Sequence, residues 1–128
     1  MIRRAAKSLL FLVLLGATSF APPAFAASYP VSARWTYDDV TGKGPAPNCG
    51  KRQMEFSGSQ RRDTEGGVHE YRNVSVDDIG SNAWRITDEF FNGQAWGRVT
   101  FTLNRQDNDH IEIKMARGGK TFRLRRCA

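Results

Sequence analysis

Residues 88–97, DEFFNGQAWG, decide how this chain is read. Asn92-Gly93 is the strongest short-range signal for a tight turn joining two antiparallel strands. A two-residue turn here pairs residues whose numbers sum to 185, setting Trp84 against Phe101, Ile86 against Val99 and Phe90 against Ala95. Leu103 continues that apolar face, while Arg85, Thr87, Arg98, Thr100 and Thr102 fall on the other. Turn chemistry and hydrophobic alternation agree, which is the mark of a specified register. The same register turns Asp88 inward, opposite Gly97, and leaves Phe91 and Trp96 outside.

Working outward, alternating runs recur between turn signals, and helical periodicity is absent after residue 27. Strands are predicted at 31–38, 51–60, 68–76, 83–91, 94–104, 110–116 and 121–127. The stretch 40–50, VTGKGPAPNCG, reads as a loop because its Gly and Pro residues break any ladder. A second hairpin turning at Gly118-Gly119 sets Met115 against Phe122, Ile113 against Leu124, Glu112 against Arg125 and Ile111 against Arg126. That register points Arg126 inward and Cys127 outward, towards the 40–50 loop. Val31, Ala33, Trp35, Tyr37, Met54, Phe56, Val74 and Val76 extend the inner set. A single sheet with so large an apolar face must close on itself or fold over; a short barrel buries that face and removes the edges, so the expected fold is all-β: a small antiparallel meander barrel of about seven to eight strands.

Residues 1–26 read as a signal peptide: Arg3, Arg4 and Lys7, then the apolar run Leu9 to Leu15, then Ala24-Phe25-Ala26 as a cleavage signal. The apolar run is too short to span a membrane, which takes about 20 residues. The mature chain, 27–128, is then one domain of 102 residues with 16 Lys+Arg against 13 Asp+Glu, a net charge of +3. Periplasmic or secreted localisation follows, and export disfavours a nucleic-acid partner. Cys49 and Cys127, 78 residues apart, form an even pair that in an oxidising compartment reads as one disulfide pinning the 40–50 loop to the last strand.

The meander, Ala33-Arg34-Trp35 in the first strand and the inward Arg126 in the last resemble the calycin group, the small barrels that include lipocalins and avidins. Ala33 stands where that group carries glycine. The resemblance implies a one-way meander barrel with Arg126 stacked on Trp35, and binding rather than catalysis. The chain is also similar to periplasmic lysozyme inhibitors, small exported barrels stapled by one disulfide. No inhibitory residue carries over from that likeness.

Three constellations are candidates for function. Pairing Val74 with Ile86 lands Arg72 opposite Asp88, giving an inner ion pair near one barrel end. It either closes that end or forms a polar mouth that orients a small ligand. Phe91 and Trp96 lie diagonally across the hairpin tip and form either a stiffening pair or a docking patch. Arg61-Arg62 and Arg123, Arg125 and Arg126 read as a solvated strand face, with a surface for anionic glycans as the other reading. No nucleophile–His–acid order, metal spacing or phosphate loop occurs, and His69 and His110 fall on separate strands, so neither enzymatic activity nor a cofactor is expected. The many large inward residues favour a mostly filled interior. The leading expectation is therefore a monomeric, exported binding module that recognises an envelope protein or anionic glycan through Phe91 and Trp96, with enzyme inhibition as one form of that recognition. A small-ligand barrel with a polar mouth stands second.

Overall fold

The computed structural model describes residues 27–128, so the signal peptide expected at 1–26 lies outside the described residues. Eight strands follow in chain order: β1 (Ala33–Thr36), β2 (Gln53–Ser57), β3 (Gln60–Asp63), β4 (Glu70–Gly80), β5 (Ala83–Phe91), β6 (Trp96–Arg105), β7 (His110–Met115) and β8 (Thr121–Arg126). Each pairs with its sequence neighbours, and β8 returns to β1, so the all-β meander closes into a barrel. The core inside it is built on Trp35, Met54, Phe56, Ile86, Phe101, Leu103, Ile111, Ile113 and Leu124. Among the described residues no helix is long and apolar enough to cross a membrane.

The run 51–60 is not one strand. Gly58 adopts a left-handed φ of 59° and turns the chain, so Gln60–Asp63 forms a separate strand pairing back on β2. All four residues of β3 are polar, and no apolar alternation announces it.

Both expected hairpin registers shift by two. Asn92 Oδ1 accepts from the amides of Gln94 and Ala95 at 2.9 Å each, and Asn92 N donates to Ala95 O. The side chain thus organises a four-residue loop, and the ladder opens at Phe91–Trp96. Trp84 faces Leu103, Ile86 faces Phe101, Asp88 faces Val99 and Phe90 faces Gly97. Gly118 and Gly119 both take positive φ, and Met115 N donates to Lys120 O, so the second hairpin also spends four residues on its loop. Ile113 faces Phe122, Ile111 faces Leu124 and Glu112 faces Arg123. A shift of two preserves which face each residue occupies, because side chains alternate with period two. The apolar pattern alone cannot distinguish these registers.

The β4–β5 register is a larger correction. A bulge between Asn73 and Ser75 places Asn73, not Arg72, opposite Asp88, while Arg72 faces Glu89 on the outer wall. The bulge adds an unpaired residue and flips the facing of what precedes it.

Trp35 and Arg126 face each other across the β1–β8 seam. The Arg126 guanidinium pairs with Asp109, with Nη2 to Oδ1 at 2.7 Å. The disulfide Cys49–Cys127 is formed, with a Cα separation of 5.1 Å, in accord with an oxidising compartment. It holds the 40–50 loop over the outer side of β8, where the loop buries Arg125. Four loop carbonyls accept from that guanidinium: Thr41, Lys43, Gly44 and Pro45, at 2.7–3.2 Å.

Candidate functional site

One end of the barrel carries the β2–β3, β4–β5 and β6–β7 turns. There Tyr29 packs edge-on to Phe56 at 5.0 Å and Tyr29 N donates to Gly58 O, so the segment before β1 extends the core. The other end carries the β1–β2, β3–β4, β5–β6 and β7–β8 connections. A partly enclosed cavity of about 380 Å³ opens there. Its apolar wall comes from Met54, Val99, Phe101, Ile113, Met115 and Phe122, and its polar wall from Tyr37, Arg61, Asp63 and Tyr71. Arg52, Glu65 and Lys120 complete its rim.

The polar wall follows from alternation along β3. Gln60 and Arg62 face out, so Arg61 and Asp63 face in. Arg61 is only 5% exposed, and its Nε donates to Asp88 Oδ2 at 2.7 Å. Asp88 is 0% exposed and accepts a second hydrogen bond from Asn73 Nδ2 at 3.1 Å. The Arg61 guanidinium lies 3.9 Å from the centroid of Tyr71 and 5.0 Å from that of Phe101. Tyr71 in turn meets Phe90 edge-on at 5.6 Å. Phe90 lies directly over Gly97, where a Cβ would come within 2.6 Å of its ring. The missing side chain at Gly97 therefore makes room for the stack, and Asp88 faces Val99 instead.

Burial works against the Arg61 charge, but Asp88, Tyr29 and Asp63 outweigh it and hold the guanidinium above its ordinary range. The Tyr29 hydroxyl is close enough for the charge of Asp88 to act on it, yet it is buried without a hydrogen-bond partner. Burial first, and Asp88 second, push its phenol well above the usual tyrosine value. Asp63 accepts from Tyr37 Oη at 3.0 Å and from Glu65 N at 2.9 Å. Burial raises Asp63 above its ordinary value despite those bonds. The same desolvation, joined by Asp63, pushes Tyr37 up, and burial does so for Tyr71.

Of the residues singled out in the sequence, Asp88 is inward but sits behind Arg61 and does not line the cavity. Arg72 is not its partner and pairs with Glu89 outside. Phe91 and Trp96 lie on the outer face, 52% and 67% exposed, with ring centroids 5.5 Å apart. They border a groove of about 320 Å³ that also includes Gln60, Glu70, Tyr71 and Arg72. Arg61 and Arg125, read as part of a solvated basic face, are both buried. Sequence reasoning named Arg61 but placed it on the outer face, and missed Asp63 and Tyr71. The available signal was the Gly58 turn, which makes Arg61 and Asp63 alternate residues of a strand.

Chemically, the arrangement is a small apolar chamber with one anchored, charge-compensated guanidinium in its wall. Among the described residues no group of three or more His, Cys, Asp or Glu side chains is placed to hold a metal ion. Comparison of the chain with known protein families, curated proteins and solved structures finds no match.

Proposed function

We propose that this chain is a non-enzymatic binding module, exported after loss of residues 1–26, whose main site is the barrel mouth. The ligand class is a small amphiphile: an apolar body against Met54, Val99, Ile113, Met115 and Phe122, and an oxygen acceptor towards Arg61. The observation that carries this reading is the cavity itself. Its volume of about 380 Å³ falls within the range of small-molecule pockets, and it sets an apolar wall opposite a polar one, as an amphiphile requires. This reverses the order expected from the sequence, where a filled interior favoured surface recognition.

A direct test is titration with the neutral fluorophore N-phenyl-naphthylamine, followed by displacement with octanamide. Saturable fluorescence that octanamide displaces, and that Val99→Trp abolishes while the circular dichroism stays native, is the expected result. Probe binding unaffected by Val99→Trp removes the mouth from consideration.

A second reading rests on a separate observation, the exposed Phe91–Trp96 pair. Contiguous exposed aromatics are typical anchors for a partner, here an envelope protein or glycan. If that reading holds, Phe91→Ala/Trp96→Ala loses periplasmic partners that the wild type captures. Equal capture by both proteins argues against it.

A further inference from the structure

This inference rests on the mouth reading and concerns what the mouth rejects. Arg52, Arg61 and Lys120 line it, against Asp63 and Glu65, with Asp88 behind Arg61. With Asp38, which pairs with Arg52, three cations thus meet four carboxylates. Arg52 is engaged by Asp38 and Glu65 at the rim. Tyr37 and Tyr71, both pushed up by burial, contribute no negative charge near neutrality.

The hydrogen-bond count differs from the charge count. Arg61 spends Nε on Asp88, and its Nη1 lies 3.6 Å from Asp63 Oδ2, beyond hydrogen-bond reach. Nε carries the one well-formed hydrogen bond of the Arg61 side chain among the described residues; the Tyr29 hydroxyl lies near the guanidinium, and the side chain, almost wholly buried, lines the cavity. A guanidinium carries five N–H donors in a fixed fork. Tyr71 against one face holds that fork in plane. Arg61 therefore offers the cavity spare donors without spare charge.

A carbonyl-type oxygen on those donors gains hydrogen bonds while bringing only a partial negative charge beside Asp63 and Asp88. A carboxylate in the same place would share one guanidinium with Asp63 and Asp88. Like charges held that close disfavour each other's ionised form, and a buried anion without its own counter-charge is costly. We propose that the mouth selects uncharged amphiphiles bearing a carbonyl-type oxygen, and that Asp63 is the residue that rejects their carboxylate counterparts.

The test compares octanamide with octanoate at neutral pH by displacement of N-phenyl-naphthylamine. Octanoate is expected to bind at least about tenfold more weakly. Asp63→Asn should bring the two ligands to near parity, while Glu65→Gln at the rim keeps the gap. Independently of any variant, octanoate should tighten as pH falls through the carboxylate range, with octanamide unchanged. Equal affinity of the wild type for both ligands overturns the selectivity while leaving the mouth site standing. That result would point to Lys120, which lies over Phe122, as an anion anchor. An unchanged gap in Asp63→Asn overturns the role of Asp63. Failure of both ligands to bind removes the mouth reading and this inference with it.

Discussion

Arg61 Nε and Asp88 Oδ2 meet at 2.7 Å inside the barrel, from strands separated by β4, with both side chains essentially out of solvent. Removing one member of such a pair leaves an uncompensated buried charge, at roughly 3–5 kcal/mol, whereas replacing both with apolar groups is often near neutral. Arg61→Met and Asp88→Leu are each expected to destabilise by about that amount, and the double variant to recover most of the loss. Urea denaturation of the four proteins measures it. Additive single effects would mean that the pair is not coupled.

The Phe90–Tyr71–Arg61 stack depends on Gly97. Gly97→Ala forces a methyl group into the Phe90 ring, and overpacking of this kind costs about 1–3 kcal/mol. Adding Phe90→Leu should restore part of that stability. The aromatic side-chain resonances of Tyr71 report whether the stack has moved.

Arg125 is held by loop carbonyls and by Asp39 at 3.1 Å. Lysine keeps the charge but not the planar fork. Arg125→Lys is therefore expected to cost roughly 2–4 kcal/mol and to speed hydrogen exchange at the Ala46 amide, which donates to Arg126 O across the same seam. Unchanged exchange at Ala46 would separate the loop from the guanidinium.

The Cys49–Cys127 bridge closes a 78-residue separation. By the chain-entropy argument, Cys49→Ser/Cys127→Ser loses about 4 kcal/mol. The loss should appear as a lower urea midpoint and a steeper slope, because the unfolded chain without the cross-link exposes more surface.

Asp63 gives a pH signature whose sign is opposite to that of a salt-bridged acid. Its folded value is raised by burial, so the folded state holds the proton more tightly than the unfolded state. The stability this contributes is full below the unfolded value of 3.8 and is lost as pH rises through the folded value. Asp63→Asn lacks this dependence. The wild type should therefore gain on the variant as pH falls from neutrality into the carboxylate range. Urea melts of both proteins across that interval check it, and a gap that widens in the variant's favour on acidification contradicts the assignment.

The all-β meander, its closure, the disulfide and the inward and outward faces of β5 to β8 were legible because each rests on local chemistry. Period-two alternation, Gly and Asn turn residues and an even cysteine pair specify them without reference to distant parts of the chain. The exposure of Phe91 and Trp96 and the inward side of Asp88 followed from the same alternation.

Pair identities were less accessible. Sliding a hairpin by two residues keeps every side chain on its face, so only the capping geometry of Asn92 and the paired glycines 118 and 119 decide the register. The bulge at Asn73–Ser75 replaced Arg72 with Asn73 opposite Asp88. The all-polar strand Gln60–Asp63 then supplied the counter-ion, because the curvature of the barrel lets the long Arg61 side chain of β3 reach past β4 to Asp88 of β5 on the inside. By itself the sequence determined the architecture and the inward and outward faces of β5 to β8, since those depend on local periodicity and turn chemistry. Tertiary structure alone decided that the interior keeps a cavity and that Arg61, rather than Arg72, answers Asp88, since both depend on how distant strands fill a shared volume.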